Sequence, residues 1–287
     1  MTAEASPGRI VLLGVKGGPA LRAGGAMPTS SLLELGASRI VVDCGIGVTK
    51  GLVEAGMDLR RLDTICITHL HSDHVLELGP LIHTAWTTGL ASPVTVWGPP
   101  GIEAYWAGFM ASMAYDCTLR VYDEGRLPLE SLVDLRTYGE GLVADQDGLR
   151  ITALRVPHPP LEHCFALRFD GARAVTFSGD TALHFPLADF AARSDVLVHE
   201  AMLPAAVEAI VAKTGLGDRL RNHLHISHTT AADAARIARR AGVGRLVLNH
   251  LIGVDDPAFT SADWLAETAT QWNGPVIIGQ DGMEIAL

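Results

Sequence analysis

The sequence predicts an α/β protein, an αββα sandwich in which two mixed β-sheets are flanked by helices. Three observations predict it. Short β-branched runs fill two halves of the chain, and each half continues into helical stretches. No internal repeat and no low-complexity linker divides the 287 residues. Hydrophobic residues make up 48%, enough for a large core. The length exceeds the usual single-domain size, but two-layer α/β proteins reach it, so residues 1–287 read as one domain.

Arg9 to Gly14 reads as a first strand, and Gly14 to Gly25 as a Gly-rich turn at a site rim. That loop lacks the GxxxxGK[ST] pattern of a phosphate-cradling loop, so no nucleotide is inferred. Ser30–Gly36 and Ser38–Asp43 form a hairpin around Gly36-Ala37. Asp43 ends the second strand, where it can cap the next helix. Residues 48–58 form a short amphipathic helix, and Leu62–Ile67 a buried strand. Val75 to Ile82 can start a helix, Val94–Trp97 is a strand, and residues 102–115 are helical. Tyr105, Trp106, Phe109 and Met110 recur there at helical spacing, as a core or dimer-contact stripe does. Residues 118–148 read as short strands and turns without an assignable role.

Leu149–Val156 is a strand ending in Pro157-His158-Pro159-Pro160. Cys164–Asp170 and Ala172–Phe177 form a hairpin around Gly171, followed by Ser178-Gly179-Asp180-Thr181. Ser194–Val198 is a strand ending in His199-Glu200-Ala201. Residues 204–213 and Ala231–Ala241 are helical, the latter capped by Thr229 or Thr230. Gly244–Leu248 is a strand closed by Asn249-His250-Leu251, residues 261–272 form a helix, and two short strands finish the chain.

Composition excludes several classes. The formal charge is −10, and no Lys/Arg run stands out. Phosphate contacts dominate nucleic-acid affinity, so general nucleic-acid binding is not expected, although a small basic patch is compatible. Met1–Arg9 lacks the apolar core of a signal peptide. No run approaches the roughly 18 apolar residues of a membrane span. Cys44, Cys66, Cys117 and Cys164 show no CxxC spacing, which suits buried reduced thiols in a cytoplasmic protein.

The chemistry concentrates in Thr68-His69-Leu70-His71-Ser72-Asp73-His74, three histidines and an aspartate on the loop after a strand. Imidazole and carboxylate suit Zn²⁺ and neighbouring transition metals. In an extended turn the side chains of 69 and 71 point one way, and Asp73 and His74 follow after the chain bends. His158, held between prolines at a strand end, is a further ligand candidate, with His163 as competitor. Gly179 lets the Asp180 carboxylate approach a metal closely.

His69-x-His71-x-Asp73-His74 resembles the signature of the metallo-β-lactamase-fold hydrolases, and the resemblance covers nearly the whole chain. It implies one metal on His69, His71 and His158, a second on Asp73, His74 and His250, and Asp180 bridging both. It also implies two Zn²⁺, with Mn²⁺ or Fe²⁺ as other occupants, a homodimer, and Asp43 hydrogen-bonding near the metal loop. Paired metals lower the pKa of water and clamp the attacked group, and Asp73 can orient the nucleophile. Glu200 and His228 resemble a pair of the tRNase Z branch in which the carboxylate orients a proton-donating imidazole; His223 or His225 could take that place. His83, His184 and His199 read as structural.

Two departures from tRNase Z stand out. The stretch between His158 and Asp180 is too short for a tRNA-gripping arm. After His250 the chain reads Leu251-Ile252-Gly253-Val254-Asp255-Asp256, acid where a phosphate binder wants base. The short form is similar to arylsulfatase-like hydrolases. The expected function is therefore hydrolysis of a small-molecule ester: a sulfate ester, phosphodiester, lactone or carboxylic ester. The alternatives are a tRNase Z-like RNA 3′-end endonuclease and a non-catalytic metal-binding protein. A di-iron oxygen reductase would carry Glu where His71 stands, and a β-lactamase would lack the His-Glu-Ala/His-Thr-Thr pair.

Overall fold

The computed structural model describes residues 8–287; the reading of Met1–Pro7 lies outside them. One sheet contains β1 (Arg9–Gly14), β2 (Ser30–Leu35), β3 (Ser38–Val42), β4 (Thr64–Cys66), β5 (Val94–Gly98) and β6 (Val133–Thr137). The other contains β7 (Gly141–Gln146), β8 (Leu149–Arg155), β9 (Phe165–Asp170), β10 (Ala174–Phe177), β11 (Val196–Met202), β12 (Arg245–Ile252) and β13 (Val276–Ile278). The last strand, β14 (Met283–Ala286), returns to β1. The two sheets therefore have seven strands each, in the orders β14-β1-β2-β3-β4-β5-β6 and β13-β12-β11-β10-β9-β8-β7. Each is mixed: pairing is antiparallel from β14 to β3 and from β7 to β10, and parallel from β3 to β6 and from β10 to β13.

Strand alternation sets the layers. In β1 and β3, Ile10, Leu12, Ile40 and Val42 face the opposite sheet and meet Leu167, Phe169, Val175 and Val198. The intervening Val11, Leu13 and Val41 face outward onto helices. That outer layer is α1 (Val48–Glu54), α3 (Leu78–Thr88) and α4 (Ile102–Glu124), with the single turn α2 (Ser72–Val75) ahead of α3. On the other side, α5 (Pro186–Phe190), α8 (Ala231–Ala241) and α9 (Ser261–Ala269) cover Leu197, Leu246 and Leu248. Two further helices, α6 (Pro204–Thr214) and α7 (Gly217–Ser227), pack on each other around a separate small cluster that includes Val207, Val211 and Leu224.

Most expected elements are present, but three differ. The helix expected over 102–115 continues to Glu124, because Arg120 pairs one turn away with Asp116 at 2.9 Å and with Glu124 at 2.8 Å. Gly125, in the left-handed region, then ends it. Residues 118–124 are thus helix, where strands and turns were expected. The aromatic stripe Tyr105, Trp106, Phe109 and Met110 packs against the outer core. β11 and β12 run past their expected ends, so Glu200 and His250 lie within strands rather than beyond them. No expectation covered α7. Among the described residues, no helix is long and apolar enough to cross a membrane.

Candidate metal centre

The site lies at one edge of the sandwich, where strands of both sheets deliver their loops. His71 is extended (φ −67°, ψ 149°) and caps α2, so the chain bends between it and Asp73-His74. His69 and His71 project from the extended part, and Asp73 and His74 from the helical turn. Gly179 has φ +58°, and a Cβ there would come within 2.5 Å of the Phe165 carbonyl oxygen; only glycine turns the chain this way to deliver Asp180. His250 arrives by another device. The β11–β12 register slips so that Glu200 faces Asn249 and Ala201 faces Leu251, leaving His250 as the extra residue of a bulge at φ +41°. A bulge re-aims a side chain, and here it turns an imidazole into the site.

The side chains converge in two groups and a third that shares members with both. One atom each of His69, His71, His158 and Asp180 lie within 4.8 Å of one another, and the same holds for Asp73, His74 and His250, and for Asp180, His228 and His250. His71 Nδ1 lies 3.2 Å from His69 Nε2 and 3.0 Å from His158 Nε2. Asp180 Oδ2 stands 3.7 Å from both His69 and His158 Nε2, and 3.1 Å from His250 Nε2. Asp180 Oδ1 is 3.4 Å from His74 Nε2. Asp180 therefore sits between the groups. His163 is exposed and belongs to none of them.

Surrounding groups fix which nitrogen faces inward. His158 Nδ1 donates to the Ser227 carbonyl at 2.9 Å, and His74 Nδ1 to Asp43 Oδ2 at 2.8 Å. Both Nε2 lone pairs then point to the centre. Asp43, at φ +64°, also accepts from the Thr68 N–H at 2.8 Å and from the Thr68 hydroxyl at 2.9 Å. It serves the metal loop and does not cap α1; Glu77 takes that task, accepting from the N–H groups of Gly47 and Thr49. Sequence reasoning missed Thr68, Glu77 and Ser227. Glu77 and Ser227 carry no local signal, since their partners lie in other elements, whereas the Thr68 hydroxyl also stands 3.1 Å from the adjacent His69 Nδ1.

Burial pushes His69 well down and His158 down to about 4, with neighbouring imidazoles adding to the effect. Burial opposes ionisation of Asp180, but His250, His74 and His69 outweigh it and hold the carboxylate well below its usual range. For His74, burial is overridden by Asp180, Asp43 and Asp73, which raise it well above 6.5. His74 Nε2 and Asp180 Oδ1 are also buried without hydrogen-bond partners. Imidazoles around a carboxylate, with orphaned ligand atoms aimed inward, fit divalent metal ions.

Beside the clusters, His228 Nδ1 faces Glu200 Oε2 at 2.9 Å, and its ring stacks on His250 with centroids 5.4 Å apart. Glu200 is fixed by the Thr181 N–H, which donates to Oε1 at 2.6 Å. Burial and Asp180 push the Glu200 carboxyl up, and burial pushes His228 down. His223 lines the same cavity with its Nδ1 3.4 Å from the Ser227 hydroxyl, whereas His225 does not line it. His83 pairs with Asp116 on the outer layer, His184 is half-buried away from the clusters, and His199 bonds its neighbour's carbonyl.

The clusters open onto a cavity of about 790 Å³ between the loop after β1 and the α6–α7 pair. Asp255 and Asp256 do not present free acid to it. Asp255 is buried against Lys16, and Asp256 holds Lys213 at 2.7 Å.

The family model described as "Anti-Pycsar protein Apyc1" matches residues 9–250. The chain belongs to this family, within the metallo-β-lactamase fold. The Apyc1-family chain is 32% identical over 257 residues to "Ribonuclease Z" of Mycobacterium bovis, covering 88% of this chain and 89% of the relative. Its fold matches the metallo-β-lactamase fold protein YhfI from Bacillus subtilis at TM-score 0.71 and 22% identity, covering 98% and 99% of the two chains. It matches human tRNase Z, short form, at TM-score 0.67 and 19% identity, over 97% and 98%. This Apyc1-family protein is a metal-dependent hydrolase, and the non-catalytic alternative falls. The expected preference for a small ester over RNA finds no support among relatives named Ribonuclease Z.

Proposed function

We propose that the chain is a single-domain, dinuclear zinc-dependent phosphodiesterase acting on RNA, a 3′-end endonuclease of the ribonuclease Z kind. One observation carries this reading: His71 and Asp180 of one cluster, Asp73 and His250 of the other, and His228 line one cavity, in a chain that aligns with Ribonuclease Z over 88% of its length. The alignment takes nearly equal shares of both chains, so a chain of this size is compatible with that name. The acidic segment after His250 is no obstacle, because Lys16 and Lys213 neutralise it.

His69, His71 and His158 would hold one ion, Asp73, His74 and His250 the other, with Asp180 between them; imidazole with carboxylate suits zinc, and Mn²⁺ or Fe²⁺ also fit. When bound, the ions would supply an activated water and offset charge on the attacked phosphorus centre. Asp73, fixed by the Gly18 N–H at 2.8 Å, orients the nucleophile. His228 gives its proton to the leaving oxygen, and Glu200 holds the ring for that transfer. An anionic substrate favours the imidazolium form, which reverses the effect of burial on His228.

A second reading keeps the small ester: sulfate ester, phosphodiester, lactone or carboxylic ester. The cavity favours it. At about 790 Å³, with Leu216, Leu220 and Leu224 on one wall, it has the scale and lining of a small-ligand site. The net charge of −10 points the same way. The deciding experiment is an initial-rate panel on zinc-loaded protein with a 3′-extended tRNA precursor, bis-p-nitrophenyl phosphate, p-nitrophenyl sulfate, a p-nitrophenyl carboxylate and a homoserine lactone. Cleavage of the precursor at its 3′ end supports the ribonuclease; turnover of small esters with an intact precursor sinks it. Four buried free cysteines support a cytoplasmic location. The homodimer rests on the resemblance and is tested by sedimentation.

A further inference from the structure

We propose that the buried ion pair between Lys16 and Asp255 is a positioning latch for Asp73. It holds the loop between β1 and β2 so that the Gly18 N–H fixes the Asp73 carboxylate in the orientation the second cluster needs. The proposal rests on the reading of Asp73 as a ligand of the second ion.

Backbone bonds tie the base of the loop, Lys16 N–H to the Met27 carbonyl at 2.9 Å and Gly17 N–H to the Leu251 carbonyl at 3.2 Å, but its outer part has little apolar anchoring. Among residues 16–26 the one large apolar side chain, Leu21, is 51% exposed. The Lys16 and Asp255 side chains, by contrast, are only 7% and 5% exposed. The Asp255 carboxylate also accepts the Ala26 N–H at 2.8 Å, and a Cβ on Gly25 would come within 2.8 Å of it. One carboxylate therefore holds both ends of the loop.

The latch acts on the segment that carries His250. Leu251 N–H donates to the Val15 carbonyl at 2.7 Å, and Gly17 N–H to the Leu251 carbonyl at 3.2 Å. Gly17 lies against the His250 ring, where a Cβ would come within 3.0 Å of it. One residue on, Gly18 N–H donates to Asp73 Oδ2 at 2.8 Å, and this same oxygen stands 3.3 Å from His250 Nε2. Lys16, Gly17 and Gly18 thus link Asp255, His250 and Asp73 through consecutive residues. A buried pair of this kind is a weak source of stability, and fixing geometry is the role the proposal gives it.

The test titrates metal-free protein with Co²⁺, followed by calorimetry and by the visible spectrum of the bound ion. Lys16→Met alone strands a buried carboxylate, so the double variant Lys16→Met/Asp255→Leu is compared with it, and Lys16→Arg serves as the conservative rescue. Circular dichroism checks that each is folded. Wild type should bind two ions. The double variant should keep the first at wild-type affinity, lose affinity for the second by about tenfold or more, and show an altered spectrum for that ion. Lys16→Arg should restore both. A folded double variant that binds two Co²⁺ with wild-type affinities and spectrum overturns the latch alone. A wild type that binds only one ion removes the ligand reading, and the latch with it.

Discussion

Asp43→Asn changes one atom type and should cost the protein its second metal. The Asp43 side chain is buried and accepts three hydrogen bonds: two from Thr68, and one from His74 Nδ1 at 2.8 Å. Asparagine keeps one acceptor oxygen, which the Thr68 N–H retains. Its amide nitrogen then faces His74 Nδ1 as a donor, so the favoured tautomer moves the proton to Nε2. That nitrogen can no longer bind a metal. Loss of such an orienting partner weakens metal affinity by about 10–100-fold, or roughly 1.4–2.7 kcal/mol. The lost charge-assisted bond removes a further ~1.5–3 kcal/mol of stability from the metal-free protein. Stepwise zinc titration with metal analysis reads the first quantity, and denaturant unfolding the second. Two zinc ions bound at wild-type affinity would refute the claim that Asp43 sets the His74 tautomer.

His228→Ala should keep both metals and lower kcat by about 10²–10⁴; an unchanged rate moves the proton donor to another group, with His223 the next to test. Gly179→Ala forces a Cβ to within 2.5 Å of the Phe165 carbonyl at a positive φ, so Asp180 must shift and metal content should fall, as metal analysis would show. Phe169→Ala empties a fully buried position between the sheets, beside Phe177 at 5.9 Å, and should cost about 3–5 kcal/mol in denaturant unfolding without loss of metal. pH dependence separates the metal-free and loaded forms. His74 is raised above 6.5, so its stabilisation is full below that value and is lost as pH rises through the folded value. Asp73 and Asp180 are depressed below 3.8, so theirs is present above that value and is lost as pH falls through the folded values. Above about pH 6.5, where the histidines depressed by burial are neutral in both states, the Tm of chelator-treated protein should therefore fall as pH rises through the folded value of His74, and zinc should abolish that fall; a flat profile there in the metal-free protein would contradict the His74 assignment.

Most of the fold was legible because strand alternation and helix caps are local. Thr230 capping α8 through the Asp233 N–H is an example, since both partners lie within one turn. The far half of α4 was not, because Thr118, Val121 and Tyr122 favour strands while the Arg120 pairs that sustain the helix carry little weight in a composition-based reading. α7 was missed because glycines at 215 and 217 and a polar sequence hide its apolar stripe, Leu220 and Leu224. At the site, residue types and order pointed to the clusters, but the aiming devices did not show. The bulge that turns His250 inward exists only through its pairing with β11. Asp255, read from the sequence as free acid facing a substrate, is instead neutralised inside the protein.

The candidate ligand atoms are spread so that neither sheet holds a complete set. His69, His71, Asp73 and His74 follow β4, while His158, Asp180 and His250 come from around β8, β10 and β12. During synthesis from the N-terminus, the early loop therefore emerges with partners for neither ion. His158 and Asp180 complete one group only when the other sheet forms, and the second group waits for His250 near the end of the chain. On the proposed ligand set, the first ion can be held before β12 is made and the second only after it. A stalled or truncated chain ending before β12 would expose a histidine-rich loop able to scavenge ions loosely, without the geometry to use them.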